Sequence, residues 1–394
     1  MTDGHGDNAE HLFSLEGDGY TQGTPGVNGH SCLWRTARAA VGVPESGPAP
    51  APCSQVKVVP VIDASDQRLW TGPIPTLADV FAARKRIRPY LPPTPFIASE
   101  SLSEKLGFRL LIKCESLNPT AAFKVRGGIN LISQLSPEQR ERGVVGASTG
   151  NHGQSIAYAA RLFGARATIF VPEVNNPLKV AAMRRLGAEI VATGEDFDAA
   201  LAASVAYAEE TGATFIHSAN EPELIAGVGT YTLEMLEQEP GLDAIFVPIG
   251  AGSGACGACV AGKGIKQDLQ VIGVQAEGSP SVFTAWKERR LTVIPKAETF
   301  AEGVATRATY ALPLSILWDT LDDITLVSDA EMRRAIVSVL EATHLVAEGA
   351  GAAAIAAAWK RRDEFAGKTV GVVLSGGNLT NDGLMQALTE ERPW

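Results

Sequence analysis

The sequence predicts an α/β protein whose strands form two open, mostly parallel sheets with a ligand cleft between them. Three observations predict it. From Thr76 onward, strand-length apolar runs alternate with helical stretches. The strand runs are almost continuously apolar rather than alternating, as strands covered on both faces require. The turns between them are short and carry glycine.

The elements follow in chain order. LADVFAARKRI (77–87) has the apolar spacing of an amphipathic helix, and GFRLLIKCE (107–115) reads as a strand. Further strands are predicted at 143–148, 165–172, 188–193, 213–218, 244–250, 270–277 and 369–377. Helices are predicted between them at 153–164, 176–187, 196–210 and 223–236. The four strands within 143–218 suffice for a small sheet of their own. Residues 143–218 are therefore expected as a small domain inserted in a larger one made of 76–142 and 219–394. Residues 1–75 show no sustained periodicity, and GVPESGPAPAP (42–52) reads as linker, so this extension is expected to be largely disordered. Its apolar run VKVVPVI (56–62) is weakened as a strand by Pro60.

Composition excludes several function classes. A net charge of −10 argues against nucleic acid as the main partner, because phosphate binding needs a basic surface. Acids at Asp3, Asp7 and Glu10 stand where a secretory or organelle leader would be basic or acid-poor. The uncharged stretch 244–262 has the length of a membrane span, but Pro248 and four glycines break it into strand, loop and helix, so no membrane partner is expected. The five cysteines form no regular framework, which points to a reduced, cytoplasmic setting. Cys256 and Cys259 make one C-x-x-C pair without a second, in a Gly/Ala-rich run suited to close packing. Histidines are scattered, and no metal site is expected.

Four motifs carry chemistry. In NPTAAFKVRGG (118–128), Lys124 stands just inside a helix behind an aromatic that can cover a flat ligand, Phe123, with Gly127–Gly128 permitting close approach. In STGNHGQ (148–154), Ser148, Thr149, Gly150, Asn151 and His152 run from a strand end into a helix, offering more donors to an anion than capping alone needs. In GAGSG, Gly250, Ala251, Gly252, Ser253 and Gly254 follow a strand and open a helix, which suits a phosphate. That spacing also resembles a dinucleotide fingerprint, with Glu277 ending the next strand where a ribose-binding acid would lie, so a nicotinamide-binding oxidoreductase stays open on this motif. Last, SGGN places Ser375 at the C-terminal end of a buried strand, where open α/β sheets bind ligands.

Taken in this order, the four motifs resemble the fold-type II pyridoxal-phosphate (PLP) enzymes of the threonine/serine dehydratase group, over roughly residues 76–390. The resemblance implies PLP as cofactor, a small amino-acid substrate and a homodimer. It implies β-elimination from a small β-hydroxy amino acid such as L-threonine or L-serine, giving a 2-oxo acid and ammonia. Lys124 would hold the cofactor as a Schiff base and serve as the Cα base. Phe123 would pack on the ring, 148–152 would grip the substrate carboxylate, and Asn151 would also lie near the cofactor's 3′-oxygen. Gly250 to Gly254 would cradle the phosphate, with Ala251 tolerable only at negative φ, and Ser375 would meet the pyridine nitrogen. A neutral hydroxyl there does not enforce ring protonation and favours prompt elimination. Thr149 departs from the pattern: dehydratases of the group have Ala there and related racemases Ser, which leaves racemisation open, as β-replacement is. Some racemase-like members bind a cation beside the sheet. Glu277 resembles one ligand, but Phe283 replaces its partner acid. Glu302 and Glu348 match positions facing the cofactor cleft.

Overall fold

The computed structural model describes residues 70–394. The predicted extension 1–75, its run at 56–62, Cys32 and Cys53 therefore lie wholly or mainly outside the described residues. The remainder is an α/β structure with two sheets. The six-stranded sheet contains β1 (Phe96–Ala98), β2 (Arg109–Cys114), β7 (Ala244–Pro248), β8 (Gln270–Ala276), β9 (Asp323–Val327) and β10 (Thr369–Leu374), in the order β1-β2-β10-β7-β8-β9. The four-stranded sheet contains β3 (Val144–Ala147), β4 (Ala167–Val171), β5 (Glu189–Ala192) and β6 (Thr214–Phe215), in the order β5-β4-β3-β6. Every pairing is parallel except β1 with β2.

The interior strands β3, β4 and β7 are buried at every position, which is why they read as unbroken apolar runs. β10 lies between β2 and β7, so the last strand of the chain sits in the middle of the larger sheet with Ser375 just beyond its end. Two strands escape sequence reading. β1 is three residues long behind a proline-rich run, and β9 is a five-residue edge strand. The predicted strand 213–218 shrinks to Thr214–Phe215. His217 causes the early end: its Nδ1 accepts the backbone N–H of Ala219 and of Asn220, both at 2.9 Å, and turns the chain out of the sheet.

Seven helices matter for the site: α1 (Lys124–Ile132), α2 (Asn151–Phe163), α3 (Pro177–Arg185), α4 (Phe197–Thr211), α5 (Pro222–Gln238), α6 (Ser253–Ile265) and α7 (Gly349–Lys360). Gly127 and Gly128 serve helix packing and not ligand approach. A Cβ at Gly127 would lie 2.7 Å from Leu224 Cγ, and one at Gly128 would lie 2.3 Å from Ser155 Oγ. The pair lets α5 and α2 press directly onto α1. Cys256 and Cys259 are fully buried in α6, where burial pushes the Cys259 thiol up to about 12 and that of Cys256 well above its ordinary value. Such thiols are inert packing groups at neutral pH.

Candidate active site

The starting point is a buried ionic cluster beneath Lys124. Arg126 reaches Glu115 bidentately (2.7 and 2.8 Å) and Glu234 bidentately (2.7 and 2.8 Å), its fifth N–H meets Thr230 Oγ1, and Thr94 Oγ1 lies 3.2 Å from the Nη2 group that both carboxylates share. Lys113 donates to Glu234 at 2.5 Å and to the Thr94 carbonyl at 2.8 Å. Two cations face two carboxylates, so the cluster is neutral and its donors are matched. Burial alone would raise Glu115, but the guanidinium of Arg126 overcomes it and holds the carboxyl below the usual range. The cluster ties β2, α1 and α5 together two residues from Lys124.

The loop before Lys124 is fastened to the turn after β10. Phe123 N–H donates to the Ser375 carbonyl (3.0 Å), Gly377 N–H donates to the Ala121 carbonyl (2.9 Å), and Ala122 bridges Gly376. Ala121 takes a left-handed φ of 51° to make this turn, an unusual conformation for a residue with a Cβ. Lys124 and Ser375, 251 positions apart in the sequence, are thus neighbours by backbone hydrogen bonding.

Lys124 Nζ donates to Ser253 Oγ at 2.9 Å and lies 3.5 Å from the Ser218 carbonyl. No carboxylate pairs with it among the described residues, and burial lowers its ammonium to about 8. A larger share of free amine near neutral pH is what a nucleophile toward a carbonyl carbon needs. Phe123 packs edge-on to Tyr231 with centroids 6.1 Å apart, and the Tyr231 hydroxyl donates to the Gly254 carbonyl at 2.7 Å, so the aromatic wall is tied to the glycine loop.

Two helix N-termini open on the same cleft. At the first, Ser148 Oγ accepts the N–H groups of Gly150 (3.0 Å) and Gly153 (2.8 Å), so its hydroxyl shapes the turn. The first-turn N–H groups of Asn151 and His152 have no intrahelical acceptor by helix geometry. The His152 ring is turned elsewhere: Nε2 lies 3.2 Å from the Ile216 carbonyl and must be its donor, Nδ1 is buried without a hydrogen-bond partner, and burial lowers the imidazole to about 3. His152 thus offers an anion its backbone and no imidazolium. At the second, Gly252 precedes α6 with φ of 105°, a conformation that favours glycine, and Pro313 packs where a Cβ would project. Ala251 lies outside the positive-φ residues, meeting the condition its side chain sets.

The thirteen residues that the sequence assigns to cofactor and carboxylate binding line one cleft of about 330 Å³, and Glu302 and Glu348 line it with them. Others there carried no local signal. Lys179 donates to Glu302 at 2.6 Å, and Arg307 pairs with Asp196 (3.3 Å) and Asp198 (3.1 Å), linking α3 and α4 to the 302–307 loop at the mouth. Glu348 is buried, and burial raises its carboxyl above the usual range, opposed by Lys179 and by the hydrogen bond from Asn151. Glu277 lies away from this cleft, half-exposed, with its carboxylate on Lys360 Nζ at 3.1 Å. No group of three or more His, Cys, Asp or Glu suited to a metal occurs among the described residues. The cleft fits PLP: an uncharged-capable lysine, an aromatic flank, a helix N-terminus for a phosphate and the hydroxyl of a strand-end serine.

The fold and this cleft define a class, and the comparisons name it. Residues 87–376 match the family model described as pyridoxal-phosphate dependent enzyme, and the chain belongs to that family. PLP is its cofactor, which removes the nicotinamide reading of GAGSG. An L-threonine ammonia-lyase of Geobacter sulfurreducens is 41% identical over 297 residues, 75% of this chain and 73% of that protein. Among solved structures, the processed form of threonine deaminase isoform 2 from Solanum lycopersicum superposes with a TM-score of 0.76 at 28% identity, covering 82% of this chain and 97% of that one. Maize serine racemase also superposes with a TM-score of 0.76, at 30% identity, covering 81% and 98%. No described helix is long and apolar enough to cross a membrane.

Proposed function

We propose that this chain eliminates water from a small β-hydroxy amino acid, of the L-threonine or L-serine kind, and that hydrolysis of the resulting enamine returns a water and gives a 2-oxo acid and ammonia. One observation carries the reading: a lysine without a carboxylate partner among the described residues shares a single cleft with two helix N-termini and a strand-end serine. When bound, PLP supplies the sink for the electron pair left at Cα. Lys124 is the residue proposed to hold the cofactor and, once freed by the substrate amine, to take the Cα proton with its Nζ. The N-terminus of α2, with Thr149, Gly150 and Asn151, is suited to the substrate carboxylate, and the first turn of α6 to the phosphate. Phe123 is suited to cover the ring, and Ser375 to meet the pyridine nitrogen with a hydroxyl. The Lys179–Glu302 pair lines the same cleft.

The two separate sheets support a small domain at 143–218 inserted in a large one of 76–142 and 219–394. The family resemblance supports a homodimer, and the buried free thiols of Cys114, Cys256 and Cys259 suit a cytoplasmic setting. The test is an oxo-acid assay over a panel of β-hydroxy amino acids. Wild type should release oxo acid and ammonia in equal amounts, and Lys124→Ala should lose at least about 10³-fold in rate, together with its borohydride-trappable cofactor. D-amino acid accumulation without oxo acid would establish racemisation instead, and a need for a second nucleophile would establish β-replacement. Unchanged turnover in Lys124→Ala would remove this lysine from the chemistry.

A further inference from the structure

Asn151 lies in the middle of a chain of hydrogen bonds that runs from a backbone carbonyl, which can only accept, to the Glu348 carboxyl. At one end the Thr120 carbonyl accepts from Asn378 Nδ2 at 2.9 Å, which fixes which end of the Asn378 amide is nitrogen. The same Nδ2 donates to Asn151 Oδ1 at 2.8 Å, which in turn fixes the Asn151 amide with its oxygen toward Asn378. At the other end Asn151 Nδ2 donates to Glu348 Oε1 at 2.7 Å. Flipping the Asn151 amide would set nitrogen against nitrogen on one side and oxygen against carboxylate on the other. One orientation survives, and it spends one of the two N–H bonds on Glu348.

The surroundings are built for this carboxylate. Glu348 is 7% exposed, and its backbone N–H is held by the Gly376 carbonyl at 3.0 Å. A Cβ at Gly376 would lie 2.4 Å from Glu348 Oε1, so a side chain at that position of the SGG turn would displace the carboxylate from where it meets Asn151. The loop that brings Ser375 to the cleft therefore also seats Glu348 and, through Asn378, grips Asn151 from the other side.

We propose that Glu348 and Asn378 are positioning residues that act through Asn151, locking its amide so that its second N–H is held ready for an acceptor on the cleft-bound cofactor. The inference rests on the cofactor reading above and goes beyond it by assigning two residues that need not touch the cofactor. It predicts coupling as well as loss.

The test is equilibrium binding of PLP to apo protein, followed by the visible absorbance of the lysine-linked cofactor. Asn151→Ala, Glu348→Ala and Asn378→Ala should each weaken binding about tenfold, the scale of one well-placed hydrogen bond. Glu348→Gln keeps an acceptor for Asn151 and should stay within about threefold of wild type. The Glu348→Ala/Asn151→Ala double variant should bind no worse than Asn151→Ala alone, because both substitutions break one chain. Additive losses, or wild-type affinity in Glu348→Ala, would overturn the proposal. If Glu348→Ala does not fold, Asn378→Ala paired with Asn151→Ala decides the same question from the opposite side. A wild-type protein that never develops the absorbance would overturn the cofactor reading and this inference with it, whereas normal wild-type absorbance with additive losses overturns the inference alone.

Discussion

Lys113 and Lys124 are both withdrawn from bulk water, on adjoining elements, and their surroundings differ in one respect. Lys113 is fully buried against Glu234 and the Thr94 carbonyl, inside a cluster whose cations and carboxylates balance. Lys124 has a serine hydroxyl and a distant carbonyl, and among the described residues no carboxylate. Burial lowers both ammonium groups, but Glu115 and Glu234 work against that at Lys113, while among the described residues nothing of the kind acts at Lys124. A buried polar cluster with every partner in place is scaffold; one that lacks a counter-charge is poised for chemistry. The two are joined through α1, which carries Lys124 at its first residue and Arg126 two residues on. The saturated cluster thus holds the reactive lysine on a rigid base.

The largest way to break this contrast is Arg126→Met. It leaves Glu115 and Glu234 buried with only Lys113 to balance them, and should cost about 3–5 kcal/mol of folding stability, read from urea unfolding midpoints. A loss under about 1 kcal/mol would show that the cluster tolerates an uncompensated carboxylate and is not the scaffold described here.

A smaller effect sharpens the Lys124 side. Because its ammonium is lowered to about 8, the free amine grows as pH rises through that value. The rate of cofactor uptake by the apo protein should therefore climb about tenfold between roughly pH 7 and pH 9 and then level off. A rise that continues without levelling toward the ordinary lysine range would contradict the desolvated setting. The smallest effect belongs to the mouth. Lys179→Met breaks the pair with Glu302, whose carboxylate is 43% exposed and free to return to water, and should change stability by only about 0–1 kcal/mol. Its consequence should appear in the KM of the substrate, with the melting temperature nearly unmoved.

Much of this site is legible in the sequence because each piece is local. A lysine after an aromatic, a donor-rich turn into a helix, a glycine loop after a strand and a serine at a strand end can each be seen within a dozen residues. What each does was not legible from its own segment. Ser148 spends its hydroxyl on two backbone N–H groups, and His152 spends Nε2 on Ile216. Gly127 and Gly128, which read as room for a ligand, are filled by α5 and α2. Lys179 and Arg307 carried no signal, since a charged residue on a helix or loop resembles any solvated one until its partner across the cleft is known.

The sequence by itself determined the α/β alternation, the parallel sheets and the four motifs, because periodicity, glycine placement and helix-start chemistry act over a few residues. Only the tertiary structure decided that β10 falls between β2 and β7, which sets Ser375 beside Phe123 and closes the chain from Thr120 through Asn378 and Asn151 to Glu348. It alone also separated the two lysines. Charge pairing over 121 positions, from Lys113 to Glu234, depends on which elements pack together, and no local pattern encodes it.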